Sequence, residues 1–254
     1  MKRTWPYILM VLLILAVGAL AGCGEADLTK GKTAHEVLLA SGETMKRINS
    51  YEFAMNMGLD MGSGSMVPFM SFAGVSEAEP PALAMTGSFS LFGQEMTLRM
   101  YLKGQKFYVL NPNDNVWLLY EGAAIPDDLL AMGPGTMLEG LENAVSAVYV
   151  NDANVDKTMK VIEATVTGQD LIDAVGGTLE GLATFDTMTL RAEISKKDLL
   201  IHRLVITVTG GDAGLGLTVN MEIDMRLSRF GEVTVTVPQE VINKAIPVTE
   251  SGGL

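Results

Sequence analysis

The strictest pattern in the chain runs from Leu215 to Leu227. Leu215, Leu217, Val219, Met221, Ile223, Met225 and Leu227 alternate with Thr218, Asn220, Glu222, Asp224 and Arg226. A period of two sustained over thirteen residues is the mark of a strand buried on one face and wet on the other. Tyr51, Phe53, Met55, Met57, Leu59 and Met61 alternate in the same way with Glu52, Ala54, Asn56, Gly58, Asp60 and Gly62. Shorter versions occupy Met85 to Leu91 and then Met96, Met100 and Leu102, with Gly93 and Gln94 as the hairpin turn between them. Phe107 to Leu110 and Val116 to Tyr120 flank Asn111-Pro112-Asn113-Asp114-Asn115, a run of turn-forming residues. Further strands are predicted from about Thr158 to Thr167, Phe185 to Ser195 and Leu199 to Thr209. Most of these exceed the usual ~5 to 6 residues, and the longest extends about 40 Å at ~3.3 Å per residue. Antiparallel strands of that length must twist and curl. The expected fold class is therefore α+β and mostly antiparallel β, a long curved sheet forming an incomplete barrel with helices on its concave face.

The helices have their own signals. Thr33-Ala34-His35-Glu36 fits a capping box, and Val37, Leu38, Ser41, Met45 and Ile48 follow at helical spacing, which predicts a helix over about 33–49. Gly42 weakens it by roughly 1 kcal/mol, so packing must hold it. Three more helical pieces are expected at Pro126-Asp127-Asp128, from Thr136 to about Ala147, and from Gln169 to Val175. Residues 62–82 read as an inserted loop whose Met66, Val67, Phe69, Met70, Phe72 and Val75 either cover a cavity mouth, touch lipid or pack on the domain.

The amino end gives an address. Lys2 and Arg3 precede an apolar run from Ile8 to Leu20, thirteen residues where a spanning helix needs roughly 20, so it reads as a signal peptide. Leu20-Ala21-Gly22-Cys23 resembles the bacterial lipobox, in which the thiol receives a diacylglyceryl group and the signal is cut before the cysteine. The expected organisation is a signal at 1–22, a lipidated tether at 23–32, one domain at 33–246 and a flexible tail at 247–254. The protein would then sit on the extracytoplasmic face of the cell membrane, held by lipid on Cys23.

Several chemistries lose their usual residues. The balance of 18 basic against 30 acidic residues, a net −12, opposes binding to phosphate backbones and anionic head groups. One cysteine and two histidines leave little for a metal centre. Gly31-Lys32-Thr33 lacks the earlier glycine of a phosphate-binding loop. Asp152, Asn154, Asp156 and Glu163 have the spacing of a calcium loop, but Lys157 stands where a glycine is needed. His202, in phase with Leu204, Ile206 and Val208, reads as a core histidine, and His35 as an exposed residue of a first helical turn. Asp127 and Asp128 read as helix N-terminal carboxylates. No enzyme activity, metal or cofactor is expected.

Methionine is the more informative residue: 15 of the 17 follow the signal. Met is flexible and polarizable, so strand faces rich in it either adapt to variable apolar ligands or simply fill a core. The candidate lining is Met55, Met57, Leu59, Phe89, Met96, Met100, Leu217, Val219, Met221, Ile223 and Met225. Three stretches carry a family likeness: Thr33 to Tyr51 with its Met-Lys-Arg-Ile-Asn-Ser-Tyr ending, Tyr101-Leu102-Lys103-Gly104-Gln105-Lys106-Phe107-Tyr108 followed by Trp117, and Phe230-Gly231-Glu232-Val233-Thr234-Val235-Thr236-Val237-Pro238. With the lipobox they resemble the LolA-like superfamily of lipoprotein carriers, and within it the LppX and LprG type and uncharacterised lipoproteins of Gram-positive bacteria. That resemblance implies an incomplete antiparallel barrel closed by helices around an apolar cavity, ligands such as lipids, acylated glycolipids or acyl chains, and no catalytic residues. The functional expectation is a membrane-anchored extracytoplasmic lipoprotein that binds an apolar ligand for transport or sensing. The alternative is a protein interaction module or envelope-stress regulator of the same fold, with an envelope protein as partner.

Overall fold

The computed structural model of the protein describes residues 26–60, 64–91, 94–122, 146–167, 184–212 and 217–248. Thr33 caps the first helix, α1 (Ala34–Met45): its hydroxyl accepts from the Glu36 N–H, and the Glu36 carboxylate accepts from the Thr33 N–H at 2.8 Å. The helix ends near Gly42 and Met45, one turn short of the expected 49. The strands are β1 (Ser50–Asp60), β2 (Val67–Glu77), β3 (Ala82–Leu91), β4 (Gln94–Lys103), β5 (Lys106–Asn111), β6 (Val116–Glu121), β7 (Ser146–Val150), β8 (Met159–Thr167), β9 (Thr184–Ser195), β10 (Ile201–Asp212), β11 (Leu217–Ser228) and β12 (Ile246–Pro247). A short helix, α2 (Gln239–Lys244), precedes β12.

All twelve strands form one open sheet in the order β12-β6-β5-β4-β3-β2-β1-β11-β10-β9-β8-β7. Among the described strands only the two-residue β12 pairs in parallel. The first and last long strands, β1 and β11, are neighbours at its centre, with Met55 opposite Met225 and Met57 opposite Ile223. Period-two patterning thus brings one apolar face into register across the sheet: Met55, Met225, Leu204, Ala192 and Ile162 form a continuous buried row. Val37, Leu38 and Met45 of α1 pack into the same cluster, so the inner face is the one that carries α1. The fold class expected from the sequence is the one observed, a mostly antiparallel sheet not closed into a barrel.

Four local expectations are corrected. Residues 67–77 are no inserted loop but a strand of the sheet, with Phe72 opposite Met55 and Gly87, and Met70 opposite Met57 and Phe89. Their alternation is hidden because Phe69 is an extra residue, bulged between Pro68 (opposite Gly58) and Met70 (opposite Met57). The helix expected to run to Ala147 gives way to β7 by Ser146, where Val148, Tyr149 and Val150 suit a strand and pair with β8. The rest of that segment, and the pieces at 126–128 and 169–175, lie outside the described residues. Gln94 belongs to β4 and pairs with Leu91, so the β3–β4 connection is one residue earlier than expected. Leu199 is not in a strand: it sits in the β9–β10 turn at φ 61°, a left-handed conformation uncommon for a large side chain.

The chain ends are fastened to this sheet. Before α1, the Leu28 N–H donates to the Lys196 carbonyl at 2.8 Å, Thr29 is buried, and the Tyr149 hydroxyl donates to the Lys32 carbonyl at 2.9 Å. After β11, the chain crosses the outer face of β2–β4. There the Val235 N–H donates to Glu77 Oε1 at 2.9 Å, and its carbonyl accepts from Lys103 Nζ at 2.7 Å. Glu77 and Lys103 flank the buried Ala82 in register, and Val233 and Val235 are buried over them.

Candidate functional site

The inner face divides along the strands. At the end where β1 begins it is closed: Met55, Met100 and Met225 are buried there with Leu102, Leu204 and Leu227, in the cluster that also takes in Val37, Leu38 and Met45 of α1. Toward the other end the same face stays apolar but is only half-buried. Met57, Leu59, Met70, Phe89, Leu98, Met221 and Ile223 are intermediate in exposure, and Met96 is 36% exposed. These side chains are neighbours by register. Met96, Phe89, Met70 and Met57 run across β4, β3, β2 and β1, and Ile223 continues the row on β11. Leu59 lies opposite Met221 in the next row. Among them is no charged residue.

The eleven candidates from the sequence therefore separate. Met57, Leu59, Phe89, Met96, Met221 and Ile223 form the half-buried strip, whereas Met55, Met100 and Met225 belong to the buried core cluster. The register puts Leu217 opposite Asp212 and Val219 opposite Gly210, at the same end of β11 as the strip. Met70 and Leu98 were missed. Leu98 lies in phase between Met96 and Met100, and Met70 belongs to the expected loop, where its spacing to Phe72 and Gly74 is the available signal. Between the two halves Phe72 lies across Gly87: a Cβ built there would stand 2.0 Å from Phe72 Cδ1. Gly87 thus makes the room in which that ring is buried.

The outer face is polar and internally paired. Arg203 donates to both oxygens of Asp224 at 2.9 and 3.0 Å and to Glu193 at 3.3 Å. The bond to Asp224 holds the guanidinium above its usual pKa. Arg191 bonds Asp152 and, at 3.0 Å, Glu163. The first and last residues of the calcium-like spacing are therefore partners of one guanidinium. Backbone N–H groups of Asn154 and Thr158 lower the pKa of Asp152 and Asp156 respectively. His202 is the extra residue where the β9–β10 register slips, which takes it out of phase with Leu204. It lies edge-on to Phe230, at 5.2 Å between ring centroids, beside an open groove of about 440 Å³ bounded by Asp152, Asp156, Arg203 and Arg226. Among the described residues no group of three His, Cys, Asp or Glu could hold a metal ion, and no helix is long and apolar enough to cross a membrane.

A family profile described as "Family of unknown function (DUF6612)" matches residues 33–246. The chain belongs to that family. The DUF6612 chain is similar in structure to LprF from Mycobacterium bovis at 15% identity and a TM-score of 0.52, over 81% of this chain and 95% of that one. It is also similar to the lipoprotein LppX from Mycobacterium tuberculosis, at 14% identity and a TM-score of 0.50, over 79% and 98%. At these identities the likeness is one of fold alone, an open antiparallel sheet shared with LprF and LppX. No curated protein matches the sequence.

Proposed function

We propose that this DUF6612 chain is a lipoprotein anchored through Cys23 to the extracytoplasmic face of the membrane, and that it takes an apolar ligand, a lipid or an acyl chain, for transport or sensing. The observation that carries the reading is the half-buried strip from Met96 to Ile223. A sheet face meant only as core would be closed along its whole length, as it is around Met55, Met100 and Met225, because exposed apolar area forfeits about 25 cal/mol per Å² of burial. Four of the strip's side chains are methionines, which re-pack around acyl chains of different length and unsaturation at little cost. LppX, which shares the fold, is itself a lipoprotein, and Leu20-Ala21-Gly22-Cys23 supplies the acceptor here. The outer-face carboxylates are engaged by Arg191, Arg203 and backbone N–H groups, which favours a binding protein over an acid/base catalyst.

Mass spectrometry of an organic extract of the purified protein tests the ligand. Lipid recovered beyond the anchor itself, and lost on Met221→Glu, is the expected result. An empty extract together with no binding of a fluorescent fatty-acid or phospholipid probe would overturn ligand binding and leave the interaction module.

A further inference from the structure

The described methionines divide along the inner face. Met45, Met55, Met85, Met100, Met188 and Met225 are at most 7% exposed and belong to the closed core. Met57, Met70 and Met221 are half-buried and Met96 is 36% exposed, all four on the strip. The register gathers these four: Met57 lies directly opposite Met70, Met70 opposite Phe89 and Phe89 opposite Met96, while Met221, opposite Leu59, stands diagonal to Met57. Phe72, its ring seated over Gly87 one row nearer the core, marks the boundary between the two sets.

Two methionines stand apart from both. Met66 is 40% exposed and lies across Gly58, where a Cβ would be 2.5 Å from its Cγ. Gly58 alternates with Met57 and Leu59, so Met66 is on the outer face. Met159 begins β8, opposite Ser195, away from the strip.

From this division we infer that Met57, Met70, Met96 and Met221 are an oxidant-sensitive modification site, at which sulfoxide formation by peroxide expels the apolar ligand. The switch rests on the ligand-binding role of the strip. A sulfur lone pair forms the S–O bond as the O–O bond of hydrogen peroxide breaks; the thioether loses two electrons, and the peroxide is reduced to water. Access of the oxidant to sulfur decides which residues react, so the strip is modified while the core methionines, and the fold with them, are spared. A sulfoxide oxygen is a strong acceptor that water satisfies on the open strip. An acyl chain laid over it removes that water, and neither the chain nor Leu59, Phe89, Leu98 and Ile223 around it has a donor to offer. Each sulfoxide facing the ligand should therefore weaken binding about tenfold or more. A seated ligand in turn shields the sulfurs, so occupancy and oxidation exclude one another. Reduction by a methionine sulfoxide reductase returns the thioether and makes the switch reversible. A strip of leucines would be as apolar and would have no such response.

The test takes the purified full chain through graded exposure to hydrogen peroxide, with peptide mapping by mass spectrometry and binding of dansylated undecanoic acid measured on the same samples. Met57, Met70, Met96 and Met221 should each gain one oxygen before Met55, Met100 or Met225, and more slowly with the probe bound. Probe affinity should fall about tenfold or more in step with them and recover under methionine sulfoxide reductases. Met66→Leu, off the strip, should bind and respond as the parent does. In Met57→Leu/Met70→Leu/Met96→Leu/Met221→Leu, which nearly conserves volume, the affinity that remains should be indifferent to peroxide. Met61, Met132 and Met137, outside the described residues, stay methionine in that variant and so are controlled for. If it fails to fold, the parent's own map and its recovery under the reductases decide the outcome. Unchanged affinity in a strip that carries sulfoxides, oxidation of the core methionines at the same rate, or a peroxide-induced loss that persists in the fourfold variant would overturn the switch while leaving ligand binding in place. A parent that binds no probe before oxidant is added would overturn the ligand reading and the switch with it.

Discussion

A glutamate at position 221 distinguishes a binding surface from a core. Met221 is half-buried opposite Leu59, in the strip rather than in the fully buried cluster. Met221→Glu should therefore fold with a modest drop in melting temperature yet lose binding of a fluorescent phospholipid probe. In a closed core the same charge would cost several kcal/mol, comparable with the stability of a whole domain, and the variant would unfold. Other residues set the acid limit. Backbone N–H groups of Thr33, Asn154 and Thr158 hold Glu36, Asp152 and Asp156 below the usual carboxylate pKa, and the Thr29 hydroxyl does the same for Asp27. A lowered folded-state pKa contributes stability that is complete above the unfolded value, near 4, and is lost as pH falls through the folded one. The melting temperature should be flat from neutral pH to about 5 and fall steeply below about 4. Asp152→Asn should flatten that fall, and a midpoint indifferent to pH down to 2 would contradict these hydrogen bonds. At this scale sequence reading worked where one residue carries the whole signal, as with Thr33 and Glu36, and failed at His202 and Phe69, whose positions depend on bulges set by the partner strand.

Among the elements, α1 and the long strands were legible because each repeats its period several times. β2 was not, since Pro68, the bulged Phe69 and Gly74 break its alternation, and β7 is five residues long at the end of a segment with helical spacing. The segment after β11 was recognisable only as a likeness. It forms no strand along Val233 to Thr236, and what holds it is two polar contacts to Glu77 and Lys103 plus the burial of Val233 and Val235. Because Val235 is fully buried over strands it is not paired with, Val235→Ala should cost about 2 kcal/mol, the loss of two methyl groups and a small cavity. That corresponds to a fall of about 4–8 °C in melting temperature. A smaller change than 1 °C would mean that the segment is docked by its backbone alone. The candidate strip was half legible: its phase on β1 and β11 follows from alternation, but the boundary between closed core and half-buried strip depends on what packs over the face, which no strand records.

For the molecule as a whole, the continuous sheet predicts one cooperative thermal transition, unchanged by EDTA, since Asp152 and Glu163 both bond the Arg191 guanidinium. A drop of several degrees on chelation would reinstate a bound cation at Asp152 and Glu163. The pairing of β1 with β11 carries a kinetic consequence. Glu52 meets Ser228 across 176 residues of chain, and closing a loop of that length costs about 4.5 kcal/mol in configurational entropy before any contact repays it. The meanders β2–β6 and β8–β10 are built from neighbouring hairpins and can form early, but the seam between them closes last. A chain emerging amino end first presents β1 with an unpaired edge and an apolar face until β11 arrives. Nascent protein is thus most exposed to strand addition by other chains late in its synthesis, and refolding should show a slow phase that Met225→Ala, at the seam, lengthens and Val109→Ala, within the β4–β6 meander, leaves unchanged.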